Sequence, residues 1–354
     1  MHTEVVKIDP VHPEPSIIEH AVKVLRSGEV VVFPTETVYG LGADAFQPAA
    51  LERIFAAKGR PFSDPLIVHI AEEKSLELVT TSIPERARQL AEVFWPGPLT
   101  LILPRGPRVP RLVTAGLDTV AVRMPRHPVA LALIRATGSP IAAPSANRFM
   151  HVSPTTAQHA LADLDGRVPL ILDSGPCEVG VESTVLDLCS EVPRILRPGG
   201  VSLEALRGVL PDIQPPVRRT VKAKGEEEAQ IAPGQLLTHY APAVPLLLFD
   251  GSLEAMRHAM LDELRHRHAV GESVGILIAD EDGAAFEGSG AVIQMLGSAD
   301  HPKQIATALF AGLRALETAG VNVILCRNFD EYGLGLAIRD RLLKAAGGKI
   351  TKLD

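Results

Sequence analysis

The residues best suited to chemistry are Lys58-Gly-Arg60 and, far downstream, Ser145-Ala-Asn147. Two cations one residue apart can grip two phosphates, or a phosphate and a carboxylate. The serine and asparagine that follow Pro144 add neutral donors and an acceptor. Around them stand Pro34-Thr-Glu-Thr-Val-Tyr-Gly-Leu-Gly42, Pro65-Leu-Ile-Val-His69, Val120-Ala-Val-Arg123 and Leu196-Arg-Pro-Gly-Gly200. Each places polar residues at the end of an apolar run, where a strand meets a loop. That layout suits an anionic small-molecule site on an α/β sheet, read by fixed donors rather than by a Walker loop.

Each of these groups also has a plainer reading. Lys58 and Arg60 can offset the dipole at a helix exit. Arg123 can cap a sheet edge, although a guanidinium is also the natural bidentate partner of a carboxylate. The Thr35-Glu-Thr turn can simply cap backbone amides, and a lone His69 after a strand can be structural. Gly40 and Gly42 permit close backbone approach of a ligand, but the third glycine of a dinucleotide fingerprint is missing. His258, His266 and His268 read as a solvated helix face.

The elements that must position these groups follow from hydrophobic period. Helices are expected over 16–27, 47–58, 84–94 and 128–137, with a further one opened by Ser153 as N-cap and running to Leu164. Strands are expected over 30–33, 66–70, 99–103, 119–124, 141–143, 170–172, 184–188 and 194–197. Several strands follow one another without a helix, which predicts a twisted, mixed sheet in an α/β domain. Residues 211–230 carry Pro215-Pro216, a basic cluster and Glu226-Glu-Glu228, a composition unable to bury a core and expected to be a linker. Beyond it, strands over 245–249, 273–279, 291–296 and 321–326 alternate with helices over 253–268, 303–319 and 336–345. That is a second, smaller α/β unit of Rossmann-like character. The expected division is 1–212, a linker over 213–243, and 244–354. Tyr-Gly-Leu-Gly occurs at 39–42 and 332–335 with unlike flanks and is read as coincidence.

Composition bounds the function. The chain has 354 residues, 46% of them hydrophobic and 4% aromatic, so two cores built from Val, Leu, Ile and Ala are affordable. The formal charge of -7 argues against a main role in gripping long nucleic acid. Cys177, Cys189 and Cys326 form no Cys-x-x-Cys pair, which points to a reducing compartment. The first residues lack a basic region followed by an apolar stretch, and no run of about 18 apolar residues exists. A cytoplasmic location without membrane contact is expected.

Taken together, these segments resemble the threonylcarbamoyl-AMP synthase family, the one with the YrdC-like catalytic domain, in its two-domain form. Ala232-Pro-Gly-Gln-Leu-Leu-Thr-His-Tyr-Ala-Pro242 resembles the family's linker motif, with Ala232 for the usual serine and Gln235 for the usual methionine. The resemblance implies condensation of L-threonine, bicarbonate or CO2, and ATP into threonylcarbamoyl-adenylate with release of pyrophosphate. A separate transferase machinery would pass the product to a tRNA adenosine, with at most weak tRNA contact here.

The resemblance also implies roles. Lys58 and Arg60 would be catalytic and contact the triphosphate. Thr35, His69, Arg123, Ala143 and Ser183 would line the threonine side. Thr119, Ser145, Asn147, Ser153 and Arg197 would contact ATP. His239 and Tyr240, in a lid formed by 233–242, would touch nucleotide or pyrophosphate. Mg2+ would ride on the phosphates with mostly water ligands, with no protein cage and at most help from Asp64. The competing readings are an RNA-binding module without catalysis and a carbamoyl-transfer enzyme acting on protein. The low aromatic content speaks against the first. The absence of acylphosphatase-like and zinc-finger segments speaks against the second.

Overall fold

A computed structural model describes residues 2–217, 230, 232 and 240–353. Two compact units are present: residues 1–149 with 153–235, and residues 150–152 with 236–354.

Among the described residues the first unit is built on ten strands: β1 (Glu4–Lys7), β2 (Val31–Phe33), β3 (Gly40–Asp44), β4 (Ile67–His69), β5 (Leu99–Pro104), β6 (Thr119–Arg123), β7 (Ile141–Ala142), β8 (Leu170–Asp173), β9 (Thr184–Asp187) and β10 (Arg194–Arg197). Their order across the sheet is β1-β8-β2-β3-β7-β4-β6-β5-β9-β10. Parallel pairs (β4 with β6, β5 with β9) stand among antiparallel ones (β2 with β3, β5 with β6), so the sheet is mixed. Chain neighbours are often sheet-distant, which lets loops from far-apart sequence converge at one strand end.

Helix α1 (Pro15–Arg26) buries Ile18, Ala21, Val22 and Leu25, a spacing that forms one apolar stripe. That stripe packs with Val31 and Phe33 of β2 and with the helix Pro128–Thr137. Val30 and Val32 point the other way, into a larger cluster with Leu41, Val68, Leu101 and Val122. Helix α2 (Pro48–Lys58) opens on a proline and ends at Gly59, whose φ of 64° is the left-handed cap that glycine tolerates best.

Two strands of this unit were not expected from sequence. β1 is a short edge strand with mostly exposed side chains. β3 is Gly-Leu-Gly-Ala-Asp, a poor strand former held by tertiary packing. At Gly42 a Cβ would lie 2.7 Å from both Ile141 and the Phe33 ring, so only glycine fits. A correction concerns Ser153. The helix begins at Ala157 and its N-cap is Thr156, whose hydroxyl accepts from the His159 amide. Ser153 is instead buried, its hydroxyl donating to Glu182 Oε1 at 2.6 Å.

Among the described residues the second unit holds five strands: β11 (Leu246–Asp250), β12 (Val274–Ile278), β13 (Val292–Met295), β14 (Val323–Arg327) and β15 (Thr351–Lys352). Their order is β13-β12-β14-β11-β15, and every pairing is parallel. Helices Leu253–Ala269, Pro302–Thr318 and Gly335–Ala345 supply the crossovers. The two Tyr-Gly-Leu-Gly segments differ fully: Tyr39 is buried before β3, whereas Tyr332 is 75% exposed and its Gly335 opens a helix.

Candidate active site

The site is carried by one face of the first sheet. Side chains alternate along a strand, so Ile67 and His69, Ala121 and Arg123, and Thr100 and Ile102 share a side. The opposite side, with Val68, Val120, Val122, Leu101 and Leu103, feeds the main core. Register lines up Ile141, His69, Arg123 and Thr100 across four adjacent strands. Beside them Thr100 Oγ1 and Ser183 Oγ are 2.7 Å apart.

Arg123 ends β6 and is almost fully buried. Its Nε donates to Gly97 O at 3.2 Å and its Nη1 to Thr37 Oγ1 at 2.9 Å. Its Nη2 faces Glu36 Oε1 at 2.7 Å, an ion pair with both side chains buried. Thr35 closes the same loop on itself. Its hydroxyl donates to Val38 O at 2.7 Å and accepts from the amides of Thr37 and Val38. His69 lies next to Arg123 in register, with Nδ1 3.2 Å from Ile67 O. Burial and the neighbouring guanidinium push its pKa down to about 3, so it is neutral at physiological pH. Ala143 follows β7, its amide donating to Ile67 O at 2.9 Å.

The second cluster is centred on Lys58, the last residue of α2 and buried. Its ammonium donates to Ser145 O at 2.6 Å and Asn147 O at 2.5 Å, which fixes the turn after Pro144. Burial first, and then Arg60, hold its pKa well below the ordinary lysine range. Arg60 is buried as well. It donates from Nε to Asp64 O at 3.1 Å and from Nη2 to Pro65 O at 2.7 Å, and pairs with the Asp64 carboxylate at 3.0 Å. Arg60 therefore shapes its own loop. Asn147 Nδ2 donates to Arg148 O at 2.8 Å.

One segment joins the two clusters. Thr37 touches Arg123. Two residues on, Tyr39 O accepts from the Ala146 amide at 2.8 Å, and Gly40 bridges Ser145. The sequence-distant pairs 58–60 and 145–147 thus meet at Lys58, and residues 37–40 tie them to Arg123.

Other expected residues are placed differently. Arg197 donates to Ser183 O at 2.9 Å and Ser183 Oγ at 3.1 Å, so it braces the Ser183 side of the sheet. Thr119 starts β6, half-buried, and stands about 13 Å along the strand from Arg123 at the usual rise. Tyr240 is buried in the second unit. Its ring stacks on Phe310 at 5.6 Å, with Arg341 over its face at 4.8 Å. His239 and most of the expected lid lie outside the described residues. Of the linker, Ala232 is fully buried against Ile67, Ile102, Ala121 and Val185, the apolar part of the very face that carries His69 and Arg123. The Gln230 amide donates to Ser63 O at 3.0 Å, on the loop after Arg60.

Sequence reasoning overlooked Glu36, Thr37, Thr100 and Glu182. The available signal was an acid flanked by threonines directly after a buried strand, a place where a carboxylate is rare without a partner. No group of three or more acids, histidines and cysteines fit for a metal occurs among the described residues.

A family model described as telomere recombination, for the Sua5, YciO and YrdC proteins, matches residues 23–199. A second, described as the threonylcarbamoyl-AMP synthase C-terminal domain, matches residues 201–347. The threonylcarbamoyl-AMP synthase of Bacillus subtilis is 45% identical over 95% of this chain and 94% of its own. The chain belongs to the threonylcarbamoyl-AMP synthase family. A synthase of this family from Pyrococcus abyssi is 44% identical over 93% of this chain and 94% of its own. The P. abyssi Sua5 structure, solved in complex with L-threonine, superposes with a TM-score of 0.92 at 42% identity, covering 99% of this chain and 100% of that one. Both units of the present fold are therefore those of the two-domain synthases.

Proposed function

We infer that this chain synthesises L-threonylcarbamoyl-adenylate from L-threonine, bicarbonate or CO2, and ATP, releasing pyrophosphate. The observation that carries this reading is the pair of buried cations, Lys58 and Arg123, tied together by residues 37–40 of a family member. Carbamate attack on the α-phosphorus needs positioning and charge neutralisation more than a nucleophilic side chain. Lys58 fits the phosphate end: two of its three N–H groups hold Ser145 and Asn147, and the third remains to donate. Arg60, next to Lys58, adds positive field and keeps the loop to Pro65 in shape. Asn147 and Ser145 supply the turn on which the nucleotide rests, with Thr119, Ser153 and Arg197 as further ATP-side residues.

At the amino-acid end, Arg123 receives the threonine carboxylate, with Thr35, His69, Ala143 and Ser183 around it. A neutral His69 suits a hydrogen-bonding role there. Mg2+ bound to the triphosphate would supply charge neutralisation and would ask for no cage of protein ligands from this chain. Asp64, whose carboxylate is 3.0 Å from Arg60, is already engaged by a cation, which fits an ion that demands little from the protein. The lid expected over 233–242, with His239, falls largely outside the described residues; Ala232, just before it, is buried against Ile67, Ile102, Ala121 and Val185. The product passes to a tRNA-modifying transferase, with only weak tRNA contact by this acidic chain. No helix among the described residues is long and apolar enough to cross a membrane, and free cysteines suit a cytoplasmic location.

The test is pyrophosphate release from ATP in the presence of threonine and bicarbonate. Release should require all three and fall at least about a hundredfold in Lys58→Ala, the range seen when one charge-stabilising donor is removed. Folded Lys58→Ala protein releasing pyrophosphate at the parent rate would refute the assignment. Salt-sensitive RNA binding without ATP turnover would favour the non-catalytic reading.

A further inference from the structure

Glu36 is a buried carboxylate with an unusual shortage of donors. It lies in the Thr35-Glu-Thr37 loop at 3% exposure. Among the described residues neither of its oxygens accepts a hydrogen bond, and Arg123, at 2.7 Å, is its partner of opposite charge. A carboxylate offers about four acceptor positions and normally fills several when buried. An empty acceptor beside a guanidinium matches the two poles of an amino acid. The substrate carboxylate can share Arg123, and its ammonium carries three N–H donors on the next atom.

This inference rests on the threonine-dependent reading above and adds a step to it. We propose that Glu36 binds the α-ammonium of the amino-acid substrate and takes one of its protons, freeing the nitrogen lone pair for carbamate formation. With CO2, the amine nitrogen forms the N–C bond while one C=O π pair moves onto oxygen; nitrogen then loses its second proton to water, leaving the carbamate. With bicarbonate, the freed amine and HCO3− give carbamate and one water. Either way Glu36 becomes the neutral acid and returns its proton to solvent after the product leaves.

The groups facing Glu36 leave it this part. Arg123 on β6 is a permanent cation. His69 on β4, held neutral down to a pKa of about 3, is too weak a base. The Cys177 thiol is pushed up by burial and by Glu36 itself, so it stays protonated. His127, its pKa lowered by burial, already contacts Ser174 through Nε2 at 3.3 Å.

The adenylyl-transfer half can be assayed without this proton transfer, because threonylcarbamoyl-adenylate and pyrophosphate return ATP and carbamate. Glu36→Gln should lower threonine-dependent pyrophosphate release by about a hundredfold, within the range of general-base removal. Its pyrophosphorolysis of added threonylcarbamoyl-adenylate, which needs no proton from an ammonium, should fall at least about tenfold less than that. Equal loss of both rates would overturn the proposal, since it would show a pocket-wide defect; so would an unchanged forward rate. If Glu36→Gln fails to fold, the unaltered protein carries the test. It should bind threonine at least about tenfold more tightly than 2,3-dihydroxybutyrate, in which a hydroxyl replaces the ammonium, the loss expected when a charge-assisted contact becomes a neutral-donor one. Equal affinity would overturn the ammonium contact. A parent protein that releases no pyrophosphate with threonine would fail the functional reading itself and take this step with it.

Discussion

His69 is where burial has the clearest electrostatic consequence. Folding moves its pKa from 6.5 to about 3, through desolvation first and Arg123 second. The sign follows from proton counting. Between these values the unfolded chain binds a proton that the native chain refuses, so stability rises with pH and is lost as pH falls through that window. One such group gives a slope of about 1.4 kcal/mol per pH unit. His69→Gln should therefore flatten the acid limb by that amount between pH 6.5 and the acid unfolding point, read from urea midpoints in a pH series; a parallel limb would show that His69 is protonated in the fold. The cationic half of the site was legible in sequence, because Lys58 and Arg123 stand at the ends of a clear helix and a clear strand. Their partners were not. Glu36 meets Arg123 across 87 positions of chain, and no local period encodes such a pairing. Lys58 reaches two carbonyls, and backbone acceptors leave no trace in residue type.

At the scale of elements, period identified the apolar strands and helices to within a residue or two, since α1, α2, β5 and β6 each bury a regular stripe or a continuous run. It missed β3, where glycines lower strand propensity and close packing with Phe33 and Ile141 overrides it. It placed a helix start at Ser153, because a serine before proline looks like a cap when its real partner, Glu182, is 29 residues away. Glycine also carries a constraint at the end of β10. A Cβ at Gly199 would lie 2.3 Å from Glu182 O and 2.4 Å from the Ser183 carbonyl carbon, so an added methyl must move the segment that presents Ser183 to the site. Gly199→Ala should destabilise by about 1–3 kcal/mol, the usual cost of overpacking, and raise the KM for threonine. Gly138→Ala is the control. Its φ of 74° is strained for alanine, yet nothing lies within 4 Å of the new carbon. It should lose about 1 kcal/mol with the KM unchanged. Equal KM values for the two variants would show that Gly199 does not position the site.

For the whole molecule, two separate sheets mean two cores, and the chain between them contributes to both. Ala232 belongs to the core face of the first unit, whereas Tyr240 belongs to the second. The motif that suggests Tyr240 as a nucleotide contact carries no information on its packing: the ring is stacked on Phe310 and lies beneath Arg341 and Lys344. Arg341 is fully buried and paired with Asp340, so the tyrosine ring packs between Phe310 of helix Pro302–Thr318 and a buried cation of helix Gly335–Ala345. Removing a buried aromatic ring typically costs about 3–5 kcal/mol, and here it also strips cation–π contact from a guanidinium that cannot reach water. Tyr240→Ala should therefore loosen the second unit. Amide hydrogen exchange in those two helices should accelerate by at least about a hundredfold, the rate equivalent of the lower end of that range. Helices that exchange as slowly as in the parent chain would show that the ring is not what holds them together.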